Sequence, residues 1–149
     1  MRLDRILALG LLAVAWAFPV LADHHLQVIP LTVGKSPIRV EVVQKDEDRS
    51  KGLMFREKLG KNDGMLFIFD EPGYHSMWMM NTLIPLSVAF LDRDGVILNI
   101  EDMEPQTTDS HTAAGPAIYA VETNKGWFAE RKLKPGDRVT GLPGVQPKK

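Results

Sequence analysis

Met77-Trp78-Met79-Met80-Asn81-Thr82-Leu83-Ile84-Pro85-Leu86-Ser87-Val88-Ala89-Phe90 is the stretch on which the reading of this chain turns. It starts and ends as apolar strand. Between lie two polar residues, Asn81 and Thr82, and then Pro85, which lacks an N–H donor. Such a break inside buried material is locally awkward, and awkward local chemistry marks either a special turn or a functional site. The block therefore reads as two short strands joined by a purposeful interruption.

The same grammar continues on both sides. Upstream, residues 26–33 and 38–43 read as strands, the second with Ile38, Val40 and Val42 on one face and Arg39 and Glu41 on the other. Residues 46–59 read as a helix with acidic residues in its first turn, Gly52 inside it and Gly60 as its stop. Residues 64–69 form a continuous apolar run, the pattern of a strand buried on both faces, and Asp70-Glu71-Pro72-Gly73 is a turn signal. Downstream, residues 86–91 and 96–100 flank the hairpin turn Asp92-Arg93-Asp94-Gly95. Residues 101–116 read as a long loop, 117–121 as a strand, 124–132 as a short helix with an apolar patch at Trp127 and Phe128, and 138–142 as the last strand. Seven or eight short strands and two short helices predict a mainly β fold, packed as a sandwich or a partly closed barrel.

The ends and the composition bound the function. Arg2 and Arg5, an apolar run over 6–21, and small residues at positions 20 and 22 predict a signal peptide over 1–22, cleaved before Asp23. Export to the periplasm or medium follows, with a single domain over 23–142, a frayed tail over 143–149 and no membrane attachment after cleavage. Removing Arg2, Arg5 and Asp4 from a formal net charge of −1 leaves −2, which gives no general attraction to nucleic acid. The chain has no cysteine, so thiol nucleophiles, thiolate metal sites and disulfides are excluded.

Linked motifs carry a resemblance. Gly52-Leu53-Met54-Phe55-Arg56, Gly64-Met65-Leu66-Phe67, Trp78-Met79, Asn81-Thr82 and Pro85-Leu86 occur in that order. Asp94-Gly95, Tyr119-Ala120-Val121-Glu122 with Gly126, and Pro135-Gly136-Asp137 follow. The set resembles the small bacterial and archaeal family catalogued as domain of unknown function 192, over residues 38–141. The resemblance implies a single compact, jelly-roll-like β domain and brings no established activity. Two positions depart from the family pattern: Ser87 stands where relatives usually carry Asp, and Met80 where Lys is common.

The candidate ligand-binding residues are Arg56, Trp78, Asn81, Thr82 and Glu122. Arg56 suits an anion or a structural pair with Glu122. Trp78 suits either stacking on a flat ligand or core packing, and Asn81 and Thr82 suit either a pocket or a capped turn. The alternative is copper handling. His75, Met77 and Met79 share a face if residues 75–80 form a strand, and cleavage before Asp23 would expose Asp23-His24-His25, a terminal Cu(II) or Ni(II) motif. A third class is an envelope glycan hydrolase, for which the sequence names no nucleophile or acid. The expectation is an exported binding or accessory domain without catalytic residues or a cofactor, whose partner is a small molecule or an envelope component.

Overall fold

The computed structural model describes residues 25–144. The leader over 1–22, Asp23, His24 and residues 145–149 of the tail lie outside the described residues. Nine strands and two short helices follow in order: β1 (Val28–Val33), β2 (Ser36–Val43), α1 (Asp46–Lys51), β3 (Asp63–Gly73), β4 (Ser76–Met77), β5 (Leu86–Leu91), β6 (Ile97–Met103), β7 (His111–Thr112), β8 (Ala117–Asn124), α2 (Trp127–Glu130) and β9 (Val139–Thr140).

Seven strands form one sheet in the order β6-β5-β8-β3-β2-β1-β9, and β4 and β7 form a separate ribbon. The large sheet curls strongly into a half-barrel, the mainly β, partly closed architecture that the strand pattern predicts. Its two edges meet at one end. Ile97 N–H donates to the Asp137 carbonyl at 2.9 Å and Val139 N–H to the Gly95 carbonyl at 2.8 Å. Gly95 makes this contact feasible: its φ is +76°, and a Cβ there would lie 2.5 Å from the Val139 carbonyl oxygen.

One pairing decides where a site can form. β2 and β3 run parallel, while every other pair in the large sheet is antiparallel. Parallel neighbours require a crossover, and residues 44–62, containing α1, supply it. β5 and β8 are buried along nearly their whole length, and β3 is buried over residues 64–69, as continuous apolar runs predict for central strands.

Several local readings change. The helix expected over 46–59 stops at Lys51, because Gly52 adopts φ 47° and ψ −130°, a region that L residues with a Cβ avoid. The Asp70-Glu71-Pro72-Gly73 turn signal is a bulge within β3: Ile68 faces Tyr119 and Gly73 faces Ala117, so four residues of β3 lie opposite one of β8. The 101–116 loop is shorter than expected, since β6 extends to Met103 and β7 occupies 111–112. Asn124 belongs to β8, so the second helix begins only at Trp127. The apolar patch of Trp127 and Phe128 is buried in the core. Pro143, expected in the frayed tail, accepts a hydrogen bond from the Tyr119 hydroxyl at 2.8 Å.

Candidate ligand site

A cavity of about 310 Å³ opens between one face of the sheet, the crossover and the interrupted block at 76–82. Phe67, Phe69 and Glu122 line it from the sheet. Asp46, Arg49, Lys51, Gly52 and Met54 line it from the crossover, and Ser76, Met77, Trp78 and Thr82 from the block.

Each wall is fixed by identifiable bonds. Arg49 anchors the crossover by donating to the Gln44 carbonyl, to the Ile68 carbonyl at 2.7 Å, and to the carboxylates of Asp46 and Asp70. The β3 bulge is what brings Asp70 into this cluster. Gly52 packs directly on the sheet, where a Cβ would sit 3.3 Å from Phe67 Cζ. The block 75–82 is braced from behind by the neighbouring loop. Ala113 N–H donates to the His75 carbonyl, Met79 N–H to the Thr107 carbonyl, and Gln106 N–H to the Thr82 carbonyl. The segment 101–116 thus supports the block and leaves Trp78 half exposed, at 50 %.

Two strained residues join the walls. Phe55 and Asn81 both have positive φ, 65° and 56°, and the Phe55 N–H donates to the Asn81 carbonyl at 2.9 Å. Asn adopts this conformation readily, but an aromatic residue does so at a cost of about 1 kcal/mol or more. Phe55 nevertheless leaves its ring 63 % exposed. The strained pair borders the cavity walls without lining the cavity, and Phe55 faces the neighbouring groove.

Glu122 is the unusual residue of the cavity. It is 4 % exposed. On β8 it stands in register with Met65 of β3 and Val88 of β5. One strand further out on each side, the same row holds Glu41 and Glu101. The outer two carboxylates have partners. Glu41 takes a bidentate pair from Arg56, at 2.7 and 2.5 Å, and Glu101 accepts from the Asn99 amide at 3.3 Å. Glu122 has neither a hydrogen bond nor an ion pair among the described residues, and as no fully buried side-chain polar atom there lacks a partner, its carboxyl must keep a small accessible surface at the cavity. Burial alone pushes its carboxyl up to about 8, from an ordinary 4.5. At neutral pH it is a protonated acid facing the cavity.

The sequence-based candidates therefore divide. Trp78, Thr82 and Glu122 line one cavity. Arg56 lies in the neighbouring groove with Glu41, Met54 and Phe55. The Arg56–Glu122 pair suggested by the sequence is replaced by Arg56–Glu41, since Glu41 stands two strands from Glu122 in the same row. Asn81 supplies the turn conformation. Thr82 does both: its N–H donates to the Met79 carbonyl, and its buried side chain borders the cavity. Trp78, weighed as a core anchor, is a rim residue.

The copper candidates do not share one strand, because β4 covers only Ser76 and Met77. The His75 ring stacks on Phe69 at 3.8 Å, and its Nε2 bonds the Glu71 carbonyl oxygen at 2.8 Å. Met79 is wholly buried and Met77 partly so. His25 borders the Arg56 groove, and the rest of the terminal motif lies outside the described residues. No group of three or more His, Asp or Glu side chains among the described residues is arranged to hold a metal ion.

Ser87 lies away from the cavity, in register with Thr123. Its hydroxyl donates to Asp102 at 2.6 Å and accepts the Gly126 N–H at 2.9 Å. A carboxylate thus does reach position 87, from the adjacent strand. Sequence reasoning missed Arg49, Met54 and the two phenylalanines as cavity residues. An Arg three residues after a helix-opening Asp was the available signal for the first, and the apolar run gave none for the others.

Comparison with known proteins bears on the family and the fold. No curated protein matches the chain. A crystal structure of a protein of unknown function from Novosphingobium aromaticivorans is 35% identical, with a TM-score of 0.73, covering 85% of this chain and 93% of that one. A putative transcription regulator from Sinorhizobium meliloti is 32% identical, with a TM-score of 0.70, covering 74% of this chain and 88% of that one. The profile of the family described as uncharacterized ACR, domain of unknown function 192, matches residues 29–141. The chain belongs to that family.

Proposed function

We propose that this protein is an exported accessory domain that binds a small molecule in the cavity beneath Trp78. The observation that carries the proposal is Glu122, a buried carboxyl without a protein partner, facing a cavity of ligand size. An unpartnered acid costs stability, and a structural scaffold gains nothing from it. A pocket that sets aromatic and thioether side chains beside convergent polar groups and a perturbed acid has the make-up of a small-ligand site. Export is supported by the leader-like residues 1–22. The regulator description belongs to the Sinorhizobium protein, and this chain has no basic stripe to extend it.

Protein-observed NMR with mixtures of fragment-sized compounds tests the proposal. Shifts should concentrate at residues 46–54, 67–69, 76–82 and 122, and should disappear in a Glu122→Leu variant that still folds. Shifts scattered over other grooves, or unchanged by that substitution, would contradict it.

The state of Glu122 also favours a second reading, as a hydrolase. A carboxyl protonated at neutral pH is what a general acid requires, and Asp46 is the other carboxylate on the cavity wall. Release of soluble sugar from envelope glycan, abolished by Glu122→Gln, would establish it. No release from a panel of such glycans would remove it.

A further inference from the structure

We infer that the ligand is an organic cation, an alkylammonium or methylated ammonium group, held by the Glu122 carboxylate within an aromatic and thioether wall. The inference rests on the reading of this cavity as a ligand site and names the class of ligand it takes.

Three features of the cavity converge on this chemistry. The first is the unmatched carboxyl. The strongest nearby cation, Arg49, is already committed to two carboxylates and two backbone carbonyls, so that cluster cannot neutralise Glu122. Lys51 is an exposed residue of the lining, and no hydrogen bond or ion pair joins it to Glu122. The second is the lining itself. Phe67, Phe69 and Trp78 together with Met54 and Met77 make a wall of polarisable groups. Aromatic walls attract soft, weakly hydrated cations. The third is the poverty of oxygen ligands. A hard metal ion requires several oxygen ligands, usually with carboxylates among them, and no group of three or more His, Asp or Glu side chains is arranged to hold one among the described residues. A neutral ligand would leave Glu122 protonated, whereas an organic cation restores its charge and matches the wall.

The binding step balances simply. The Glu122 carboxyl loses its proton to solvent, and the ammonium takes the proton's place as the positive partner. One cation enters and up to one proton leaves. Other ionisable groups border this exchange and must be separated from it. They are Asp46, Arg49 and Lys51 from the crossover, His75 on the Phe69 ring, Glu41 with Arg56 on the β2 side, and Glu101 on the β6 side. The segment 76–82 contributes none.

The test is calorimetry of the processed protein with tetramethylammonium and choline chlorides, in two anionic buffers of different ionisation enthalpy. Between pH 5 and about pH 8, affinity should rise about tenfold per pH unit and then level off. Close to one proton should be released per cation at pH 7. Glu122→Gln should weaken binding at least about tenfold and abolish proton release, which separates Glu122 from its ionisable neighbours. Trp78→Ala should weaken binding several-fold while leaving proton release intact. Methyl glucoside and N-methylacetamide serve as neutral probes. If they bind in the cavity and the cations do not, the cation inference is wrong and the ligand-site reading stands. If neither class binds at any pH, both are wrong. Cation binding without proton release, or undiminished in Glu122→Gln, would also overturn the inference.

Discussion

Replacing Glu122 by Gln should make the protein more stable, increasingly so as pH rises. The folded state holds the Glu122 proton up to about pH 8, whereas the unfolded chain releases it near 4.5. Between those values the folded state binds more protons, so raising the pH draws the wild-type protein toward unfolding. Each pH unit costs about 1.4 kcal/mol, and the whole window costs up to about 5 kcal/mol. That total is a large share of the 5–15 kcal/mol typical of a domain's stability. Below pH 4.5 the contribution is fully present, and above pH 8 the loss is complete. Gln has similar shape and does not titrate, so its own packing adds a constant offset. The difference between the two proteins therefore isolates one carboxyl. Urea unfolding of both, from pH 4.5 to 9 in buffers free of organic cations, measures it through the midpoints at unchanged m-value. The difference should tilt toward the variant with a slope near 1.4 kcal/mol per unit. A difference that stays flat within about 1 kcal/mol across the window, or that tilts the other way, would refute the claim that Glu122 is buried without a partner.

Arg56→Ala should cost about 1 kcal/mol or less, because its bidentate pair with Glu41 is partly exposed. A double-mutant cycle should show coupling of Arg56 to Glu41 and none to Glu122; the reverse pattern would restore the pairing suggested by the sequence. Gly52→Ala should destabilise by about 1–3 kcal/mol, from its positive φ and the Phe67 contact, and a neutral effect in thermal unfolding would show that the helix end is adaptable. A chain beginning at Leu26, which lacks the terminal histidines, should bind neither Cu(I) nor Cu(II) tighter than micromolar, since His75 and Met79 are engaged in packing. Tight calorimetric binding by that chain would revive the copper reading through those residues.

The fold was legible where periodicity was strong. The continuous run Gly64–Phe69 and the Asp92–Gly95 hairpin each appear in the structure as read. Here the hydrophobic pattern and the turn chemistry pointed the same way, and tertiary packing had only to agree. Legibility failed where one residue's backbone state decided an element. Gly52 sits at a plausible helical position, yet its φ and ψ end the helix eight residues early, and only packing against Phe67 explains why. The β3 bulge failed similarly: Asp-Glu-Pro-Gly reads as a turn, but β8 holds both sides of it in one ladder.

The candidate site was half legible. Glu122 is far in sequence from Trp78 and Thr82, yet motif recognition singled out all three. Their environments were beyond reach. An acidic residue in an apolar strand signals a partner, and Arg56 was a sensible choice. The parallel placement of β2 beside β3 brings Glu41 to Arg56 instead and leaves Glu122 alone. Such cross-strand register is set by topology, which one sequence does not reveal.

The most direct measurement is the ionisation of Glu122 itself. A carbon-13 NMR titration of the side-chain carboxyl, assigned by its loss in Glu122→Gln, follows that one group. The midpoint should lie near 8 in the free protein and move downward when a cation fills the cavity. A midpoint near the ordinary value of 4.5, unmoved by any probe, would contradict the central claim that this fold maintains an unpartnered acid for a ligand.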